Sequence, residues 1–303
     1  MKILVVGSSN IDTTLYVKSL PKDGETISAL SRSVSLGGKG LNQAIAIKRA
    51  GGEITFLTSL GEDPDANLVI EQLNKEEIPS YISFKKEAKT GSAFINVSEK
   101  GENSIVIDGG SNNLLNKFDI DKYKDKFDNF DYLLLQNEIN EETNAYLIDI
   151  FHSLNKKVVL NNSPFRHIGK ELLNKIDYLF INEVELFSMY QDITNDSSSK
   201  EISEYLSALF NACVNNIILT LGKDGALFAN KDTKIKVEAK KVISIDTVGA
   251  GDTFTGYFLS EISKNKDIKT ALLTATKATA ISVTRKGAIP SIPTIKEVEE
   301  FKD

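Results

Sequence analysis

The sequence of 303 residues has no tryptophan, one cysteine, two histidines and two methionines. A single cysteine excludes an internal disulfide, and Cys213 stands just before the apolar run Ile217 to Leu219, which favours a packing role for it. No zinc-ligand spacing is present. We expect His152 and His167 to be surface groups. Metal and redox chemistry that depends on Cys and His ligands is therefore disfavoured.

Long apolar runs and dense basic stretches are also missing. No run approaches the roughly 20 residues that a membrane-spanning helix needs. Met1 is followed at once by a strand-like ILVV instead of a secretory signal. The balance of 36 Lys+Arg against 42 Asp+Glu gives a net charge of −6, which disfavours a nucleic-acid partner. We expect a cytoplasmic globular protein that binds neither nucleic acid nor membrane.

Short apolar strands alternate with helical stretches along most of the chain. Such alternation implies parallel strands joined by right-handed crossovers. We therefore predict an α/β fold with three αβα layers and a mostly parallel central sheet, ending in an antiparallel hairpin over residues 225–240. The predicted strands are 3–7, 54–61, 132–136, 156–162, 177–182 and 216–222, and the predicted helices are 40–50, 63–77, 140–155 and 183–191.

Two stretches break this alternation. Residues 26–36 and 90–107 alternate apolar with polar or small side chains, the pattern of half-buried strands. They predict a small second sheet, with lid strands from about 14–36 and 90–108, on a single α/β domain that spans 1–303. Such a sheet has exposed edges, so we expect it to cover an active site or to pair with a second subunit.

Two common nucleotide-binding motifs are absent. In GGKGLN and TLGKDG the residue after lysine is Gly40 or Asp224, where a P-loop needs Ser or Thr. The GSSN that follows the first strand lacks the glycines of a dinucleotide fold. A P-loop NTPase and a dehydrogenase are both disfavoured.

The stretch DTVGAGDTFTG, residues 246–256, reads as a glycine loop that enters a helix. Unpaired N–H groups at a helix start suit an anion such as phosphate. Asp252, at this start, has two interpretations. It caps the helix and offsets its dipole, or it takes a proton from a hydroxyl that attacks phosphate. The stretch alone leaves both open.

Further polar groups follow the first strand. Asn10 and Asp12 point the same way from an extended chain, and an amide with a carboxylate can hold vicinal sugar hydroxyls. The alternative is a solvated Asx turn. The three glycines of GGKGLNQ, residues 37–43, let the backbone approach a ligand, and Lys39 and Asn42 add hydrogen-bonding groups there. We prefer a binding role for this stretch over a plain turn.

Polar groups also follow later strands, where ligands bind in parallel sheets. Glu138 follows YLLLQ, the NEVE stretch from Asn182 to Glu185 follows DYLFI, and TLGKDG supplies a glycine turn at residues 220–225. A helix-capping Asn182 and a surface Glu185 are the structural alternatives.

Seven motifs, in order and over nearly the whole chain, resemble those of the ribokinase-type (PfkB) sugar kinases. They are GSSNID, GGKGLNQA, GSAFINVSEKGENSI, NEVE, TLGKDGA, DTVGAGDTFTG and VTRKGAIPSIP.

The resemblance implies a sugar kinase that transfers the γ-phosphoryl group of ATP to the 5-hydroxyl of ribose. Asp252 is then the catalytic base, with Gly249, Ala250 and Gly251 as an anion hole. Other acceptors stay open, namely deoxyribose, fructose, a nucleoside or a sugar acid, as does a non-catalytic sensor on the same fold. The implied sugar-binding residues are Asn10, Asp12, Gly37, Gly38, Lys39, Asn42, Glu138 and Asp252.

The same resemblance implies sites for ATP, Mg²⁺ and K⁺. The small sheet itself leads us to predict a homodimer formed through it. Glu185 would organise water around Mg²⁺. Thr276 stands where relatives often have His or Asn beside adenine. The implied ATP-binding residues are Asn182, Thr220, Leu221, Gly222, Lys223, Asp224, Gly225, Gly251 and Thr276. The implied ligands of the monovalent cation are Asp246, Val248 and the segment that contains Ser282, Arg285, Gly287 and Ser291.

Overall fold

The computed structural model describes residues 1–302. Within them, no helix is both long and apolar enough to span a bilayer. The strands are β1 (Lys2–Val6), β2 (Asn10–Val17), β3 (Ser31–Gly37), β4 (Glu53–Gly61), β5 (Ser80–Lys85), β6 (Gly91–Ser98), β7 (Asn103–Asp108), β8 (Tyr132–Gln136), β9 (Lys157–Asn161), β10 (Tyr178–Asn182), β11 (Asn216–Thr220), β12 (Ala226–Ala229) and β13 (Lys234–Val237). The helices are α1 (Lys39–Arg49), α2 (Pro64–Lys75), α3 (Lys117–Asp121), α4 (Glu141–Ser153), α5 (Lys170–Leu173), α6 (Glu183–Thr194), α7 (Ile202–Asn211), α8 (Ala250–Ser263), α9 (Ile268–Ser282) and α10 (Ile295–Glu300). Short 3₁₀ turns cover Gly110–Leu114, Lys124–Asn129, Gly222–Asp224 and Ile289–Ser291.

The central sheet has nine strands in the order β13-β12-β11-β10-β9-β8-β1-β4-β5. From β11 to β5 every neighbouring pair is parallel, and β12 and β13 add an antiparallel hairpin at one edge. The helices between these strands cover both faces. The predicted three-layer α/β fold with a mostly parallel sheet is confirmed.

Helices cover both faces because strand side chains alternate in direction. Along β1, Ile3 and Val5 pack into a core shared with α1, α8 and α9. Leu4 and Val6 pack into a second core shared with α4, α6 and α7. Burial on both faces explains why the strands read as continuous apolar runs and not as alternating ones.

Helices α1 and α8 pack very closely where α8 carries a glycine. A Cβ built on Gly256 would lie 2.4 Å from the Ala46 Cβ and 3.0 Å from the Gln43 carbonyl oxygen. Only a residue without a side chain fits this contact at the observed separation. The close approach brings the first turns of the two helices side by side at the carboxyl edge of the sheet.

A second, four-stranded sheet has the order β3-β2-β6-β7. Its strand β2 begins at Asn10, which pairs with Gly37 on one side and Gly91 on the other. The strand therefore starts four residues before the predicted segment 14–36. The apolar-polar alternation is weak at SSNID, so the sequence pattern did not reveal this earlier start. All six residues of the edge strand β7 are exposed.

We expect Gly256→Ala to destabilise the protein. Alanine is the better helix former by about 1 kcal/mol, but overpacking of this kind typically costs about 1–3 kcal/mol. The free energy of unfolding in urea should therefore fall by about 1 kcal/mol or more. Gly169→Ala is the control, since a Cβ there meets nothing within 4 Å, and its change should stay within about 0.5 kcal/mol. Equal stability of the two variants would show that the helices separate freely.

Candidate active site

The polar residues singled out in the sequence lie at the carboxyl edge of the central sheet. Asn10 follows β1 closely, Glu138 follows β8, Asn182 ends β10 and Thr220 ends β11. The N-terminus of α8 lies at the same edge, where Asp252 and Gly251 line a cavity together with Asn182 and Thr220. This is the edge at which parallel α/β sheets bind ligands.

The Asp252 carboxylate is buried and bonded to α1. Its Oδ2 accepts a hydrogen bond from the Asn42 Nδ2 at 2.9 Å, and its Oδ1 accepts one from the Gln43 Nε2 at 2.9 Å. The side chain is 6% exposed. The residue at the helix cap position is Gly249, in the left-handed conformation with φ 73°. The Asp252 side chain therefore does not cap α8, which removes that structural alternative and leaves only its favourable place in the helix dipole.

A pair of glutamines completes this arrangement, and the sequence reasoning missed both. The Gln136 Nε2 donates to the Gln43 Oε1 at 2.8 Å, so the two side chains form a chain of amides that ends on Asp252. Gln43 lies next to Asn42 within the glycine-rich stretch, which was a signal for it. Gln136 is the last residue of the apolar strand β8, and nothing in the sequence indicates where its side chain points.

A cavity of about 220 Å³ opens at the start of α8. Its walls include Lys39, Glu185, Asp252 and the residues from Gly249 to Gly251. Within residues 1–302 the N–H groups of Gly251 and Asp252 have no backbone acceptor, whereas the Ala250 N–H bonds the Thr247 carbonyl at 3.2 Å. Free N–H groups at a helix start favour an anion.

The side chain of Asp12 lies against Gly37. A Cβ built on Gly37 would lie 2.0 Å from the Asp12 Oδ2, so the glycine leaves the room that this carboxylate occupies. The neighbouring Asn10 accepts a hydrogen bond at its Oδ1 from the Asn112 Nδ2 at 2.8 Å. This leaves the Asn10 amide nitrogen as a donor. Asn112 lies in the segment 108–113, to which the sequence reasoning assigned no role.

Glu138 is anchored through one carboxylate oxygen. Its Oε2 accepts hydrogen bonds from the Ser8 Oγ at 2.6 Å and from the Lys39 N–H at 2.9 Å. The other oxygen has no such partner within residues 1–302. Ser8 is a further residue that the sequence reasoning missed, although it lies inside the quoted GSSNID motif.

Four carboxylates and one ammonium group share this region, and their charges shift the pKa values of Asp12 and Lys39. Burial, followed by the charges of Glu138 and Asp252, raises the pKa of Asp12 to about 7. Burial alone lowers the pKa of Lys39, but Asp252, Glu138 and Glu185 together outweigh it and raise that pKa. Lys39 is therefore the cation that offsets the negative charge of the site.

A larger cavity of about 870 Å³ adjoins the first one and shares Asn182, Thr220, Ala250 and Gly251 with it. Its walls include the turn from Gly222 to Gly225 and, on α9, Thr276. Leu221, predicted with this turn, packs its side chain into the core instead. The Thr276 Oγ1 donates to the Leu272 carbonyl at 2.8 Å. Phe254, Ala280 and Val283 provide an apolar wall, which suits the base of a nucleotide.

Asn182 and Glu185 form a capping box at the start of α6. The Asn182 Oδ1 accepts from the Glu185 N–H at 2.8 Å, and the Glu185 Oε2 accepts from the Asn182 N–H at 2.9 Å. The capping alternative for Asn182 is therefore observed. Glu185 is buried against the smaller cavity instead of lying on the surface. Its second oxygen remains available, which fits an outer ligand of hydrated Mg²⁺.

Residues predicted around a monovalent cation are brought together behind the start of α8. The Asp246 carboxylate accepts from the Val248 N–H at 3.0 Å and from the Gly287 N–H at 2.8 Å. The hydroxyls of Ser282 and Ser291 donate to nearby carbonyls, and the Arg285 guanidinium pairs with Glu297. Arg285 can therefore contribute only its backbone. Within residues 1–302 no group of three His, Cys, Asp or Glu side chains is placed to hold a metal ion.

Comparison with known proteins identifies the family of the chain. The model of the pfkB family carbohydrate kinases matches residues 1–295. A ribokinase from Dictyostelium discoideum is 36% identical and covers 98% of both chains. A deoxyribokinase from Salmonella typhi is 33% identical, over 99% of this chain and 98% of its own.

Solved structures agree. A ribokinase from Thermotoga maritima has a TM-score of 0.90 and 37% identity, with 98% of each chain covered. A ribokinase from Arabidopsis thaliana, complexed with ribose and ATP, has a TM-score of 0.87 and 30% identity over 98% of this chain and 97% of its own.

The matching family model and the shared fold define the class of the protein: the chain belongs to the pfkB family of carbohydrate kinases. Within this family it is an enzyme of the ribokinase type.

We expect Asp12→Asn to stabilise the unliganded protein in a pH-dependent way. A pKa raised from 3.8 to about 7 favours the protonated folded state, so stability is lost as the pH rises towards 7. The uncharged amide avoids this loss. The melting temperature of the variant should exceed that of the parent by at least ~2 °C more at pH 8 than at pH 5. Asp23→Asn, at an exposed aspartate, is the control, and an equal response of both variants to pH would contradict the interpretation.

Proposed function

We propose that the protein phosphorylates D-ribose at its 5-hydroxyl with ATP, giving ribose 5-phosphate, and that Asp252 is the general base. One observation carries this proposal. The Asp252 carboxylate is buried, is held by two amide donors, and lines the smaller cavity at a helix N-terminus that also borders the larger cavity. A base placed there reaches a hydroxyl that faces the terminal phosphate of a nucleotide.

The sugar would be held by groups of complementary hydrogen-bonding character. Asn10 presents an amide donor, because Asn112 occupies its oxygen. Asp12 presents a carboxyl group, and Glu138 presents the oxygen that Ser8 and Lys39 leave unused. Gly37 and Gly38 give the backbone room beside these groups. Donors and acceptors on one wall suit a molecule with several hydroxyls.

Asp252 would take the proton from the 5-hydroxyl as that oxygen bonds to the γ-phosphorus of ATP. The bond from this phosphorus to the β-γ bridging oxygen breaks, and ADP leaves. The N–H groups of Gly251 and Asp252, free of backbone acceptors, would hold the phosphoryl oxygens. The Ala250 N–H would have to release the Thr247 carbonyl to join them. Lys39 supplies a nearby positive charge.

Two cations belong to the same proposal. Glu185 would hold water of a Mg²⁺ ion through its free carboxylate oxygen. Asp246 and carbonyl oxygens of the 282–291 segment would hold K⁺. These ions supply positive charge that stabilises the negative charge developing on the transferred group.

We also propose that the chain acts as one domain in the cytoplasm, where ATP is supplied, and that the second sheet closes over the bound sugar. Its strand β2 already carries Asn10 and Asp12, so closure would tighten the sugar contacts and exclude water together.

A second acceptor, deoxyribose, is the strongest competitor, because a full-length deoxyribokinase is nearly as similar to this chain as the ribokinases. Fructose, a nucleoside and a sugar acid are weaker alternatives with no observation that favours them. A non-catalytic sensor is disfavoured, since the base and the glycine turn at residues 249–252 are both present.

A coupled assay can measure the rate of ADP formation with each of a panel of sugars. We expect kcat/KM to be highest with ribose and the rate to increase with K⁺. Asp252→Asn should lower kcat by about 10² or more, the usual contribution of a general base. Its affinity for ribose, measured by calorimetry, should change little.

A preference for deoxyribose or another sugar would overturn the choice of substrate. Normal turnover by Asp252→Asn would overturn the choice of base. Ligand binding without ADP formation from any sugar would favour the sensor.

We further propose a homodimer formed through the second sheet. Ile105, Val106 and Ile107 on its edge strand β7 are 53%, 63% and 54% exposed. An exposed apolar edge strand readily pairs with another chain.

Light scattering of the parent protein should give twice the mass of one 33.3 kDa chain. The Val106→Glu variant should give the mass of a single chain. Leu68→Glu, at an exposed apolar residue of α2, is the control and should stay dimeric. A parent protein of single mass, or a dimeric Val106→Glu, would contradict the proposed interface.

A further inference from the structure

The hydrogen bonds on Asp252 come only from neutral amides, and one of these amides is itself held by another. Gln43 and Gln136 are 0% and 1% exposed. The Gln43 Nε2 donates to the Asp252 Oδ1, while the Gln43 Oε1 accepts from the Gln136 Nε2. Neither glutamine lines either cavity. Because both side chains are almost fully buried and Gln43 bonds Asp252, we expect the pair to act on a ligand through Asp252.

This chain of amides has a direction. Each amide has one donor end and one acceptor end. If Gln43 turned over, its oxygen would face the carboxylate and its nitrogen would face the nitrogen of Gln136. Both contacts would be repulsive, so an ionised Asp252 requires the observed orientation of both side chains. Conversely, the donor that Gln136 supplies keeps Gln43 turned with its nitrogen towards Asp252.

The space for Gln136 is provided by the strand beside it. A Cβ built on Gly7, just after β1, would lie 2.1 Å from the Gln136 Oε1. That oxygen is buried and has no hydrogen-bond partner among the described residues. A buried amide with an unsatisfied oxygen is costly for stability, which points to a use for its nitrogen.

We propose that Gln43 and Gln136 are positioning residues that orient the Asp252 carboxylate for proton transfer. This inference rests on the proposed function, in which Asp252 is the base. Other charged groups also face Asp252: Lys39 from α1, Asp12 from β2, Glu138 after β8 and Glu185 from α6. Lys39 is the only cation among them, so the neutral donors add stabilisation of the carboxylate without adding charge.

The decisive variant is Gln43→Glu, which keeps the size of the side chain and the bond from Gln136. It places a second carboxylate against Asp252, and two such groups hold a proton more tightly than one. The acidic limb of the kcat profile should move to higher pH by about one unit or more. The KM for ribose should change less than about threefold, since Gln43 lines neither cavity.

A second set of variants tests whether Gln136 acts on Asp252 through Gln43. Gln43→Met should lower kcat by about tenfold or more, the usual effect of losing a hydrogen bond to a charged group. Gln136→Met should lower it less. The double variant should be no slower than Gln43→Met alone, because Gln136 acts through Gln43. Gln72→Met is the matched control, on the remote helix α2, and should retain the parent kcat.

The outcomes separate this inference from the proposed function. If Asp252→Asn is inactive but Gln43→Glu keeps the parent pH profile, the positioning role is wrong and the base assignment stands. If Asp252→Asn keeps the parent kcat, Asp252 is not the base, and the positioning role that rests on that assignment is contradicted with it. Additive losses in the double Met variant would also overturn the inference, because they indicate independent packing defects. Should Gln43→Glu fail to fold by its melting curve, the pH profile of Gln136→Met decides, with a smaller shift in the same direction expected.

Discussion

The contact between α1 and α8 is the constraint on which the site depends. Gly256 allows the two helices to approach until Asn42 and Gln43 reach the carboxylate at the start of α8. A negative group buried among four other charged side chains is stable only when its oxygens are bonded. Helix packing, far from any ligand, thus determines whether Asp252 is held in one orientation.

Much of the fold was predictable from the sequence because it follows from local rules. Strands buried on both faces read as apolar runs, and helices between them impose parallel pairing. The glycine turn before Asp252 likewise marked a helix start. The beginning of β2 at Asn10 was not predictable, since strand pairing with Gly37 and Gly91 involves residues distant in the chain and the local pattern there is polar.

The site was predictable only in part, and the residues that were missed have one property in common. Ser8, Gln43 and Asn112 each bond to a predicted site residue, and Gln136 bonds to Gln43, in every case across 90 residues or more of sequence. No spacing rule reveals such partners. Asn182, in contrast, was predicted from the sequence as either a helix cap or a binding residue. The two roles are compatible, because it caps α6 and also lines both cavities.

The position of β2 has a mechanical consequence. This strand follows β1 after only a short connection and carries Asn10 and Asp12 out into the second sheet. In the proposed function, two of the groups that would hold the sugar therefore belong to the second sheet, which would close, and not to the central sheet. Any rotation of that sheet would move Asn10 and Asp12 relative to the rest of the site. Ligand affinity and the orientation of the sheet would therefore be thermodynamically coupled. A partner chain bound to the edge strand β7 of that sheet would then change the affinity for the ligand without contacting the ligand.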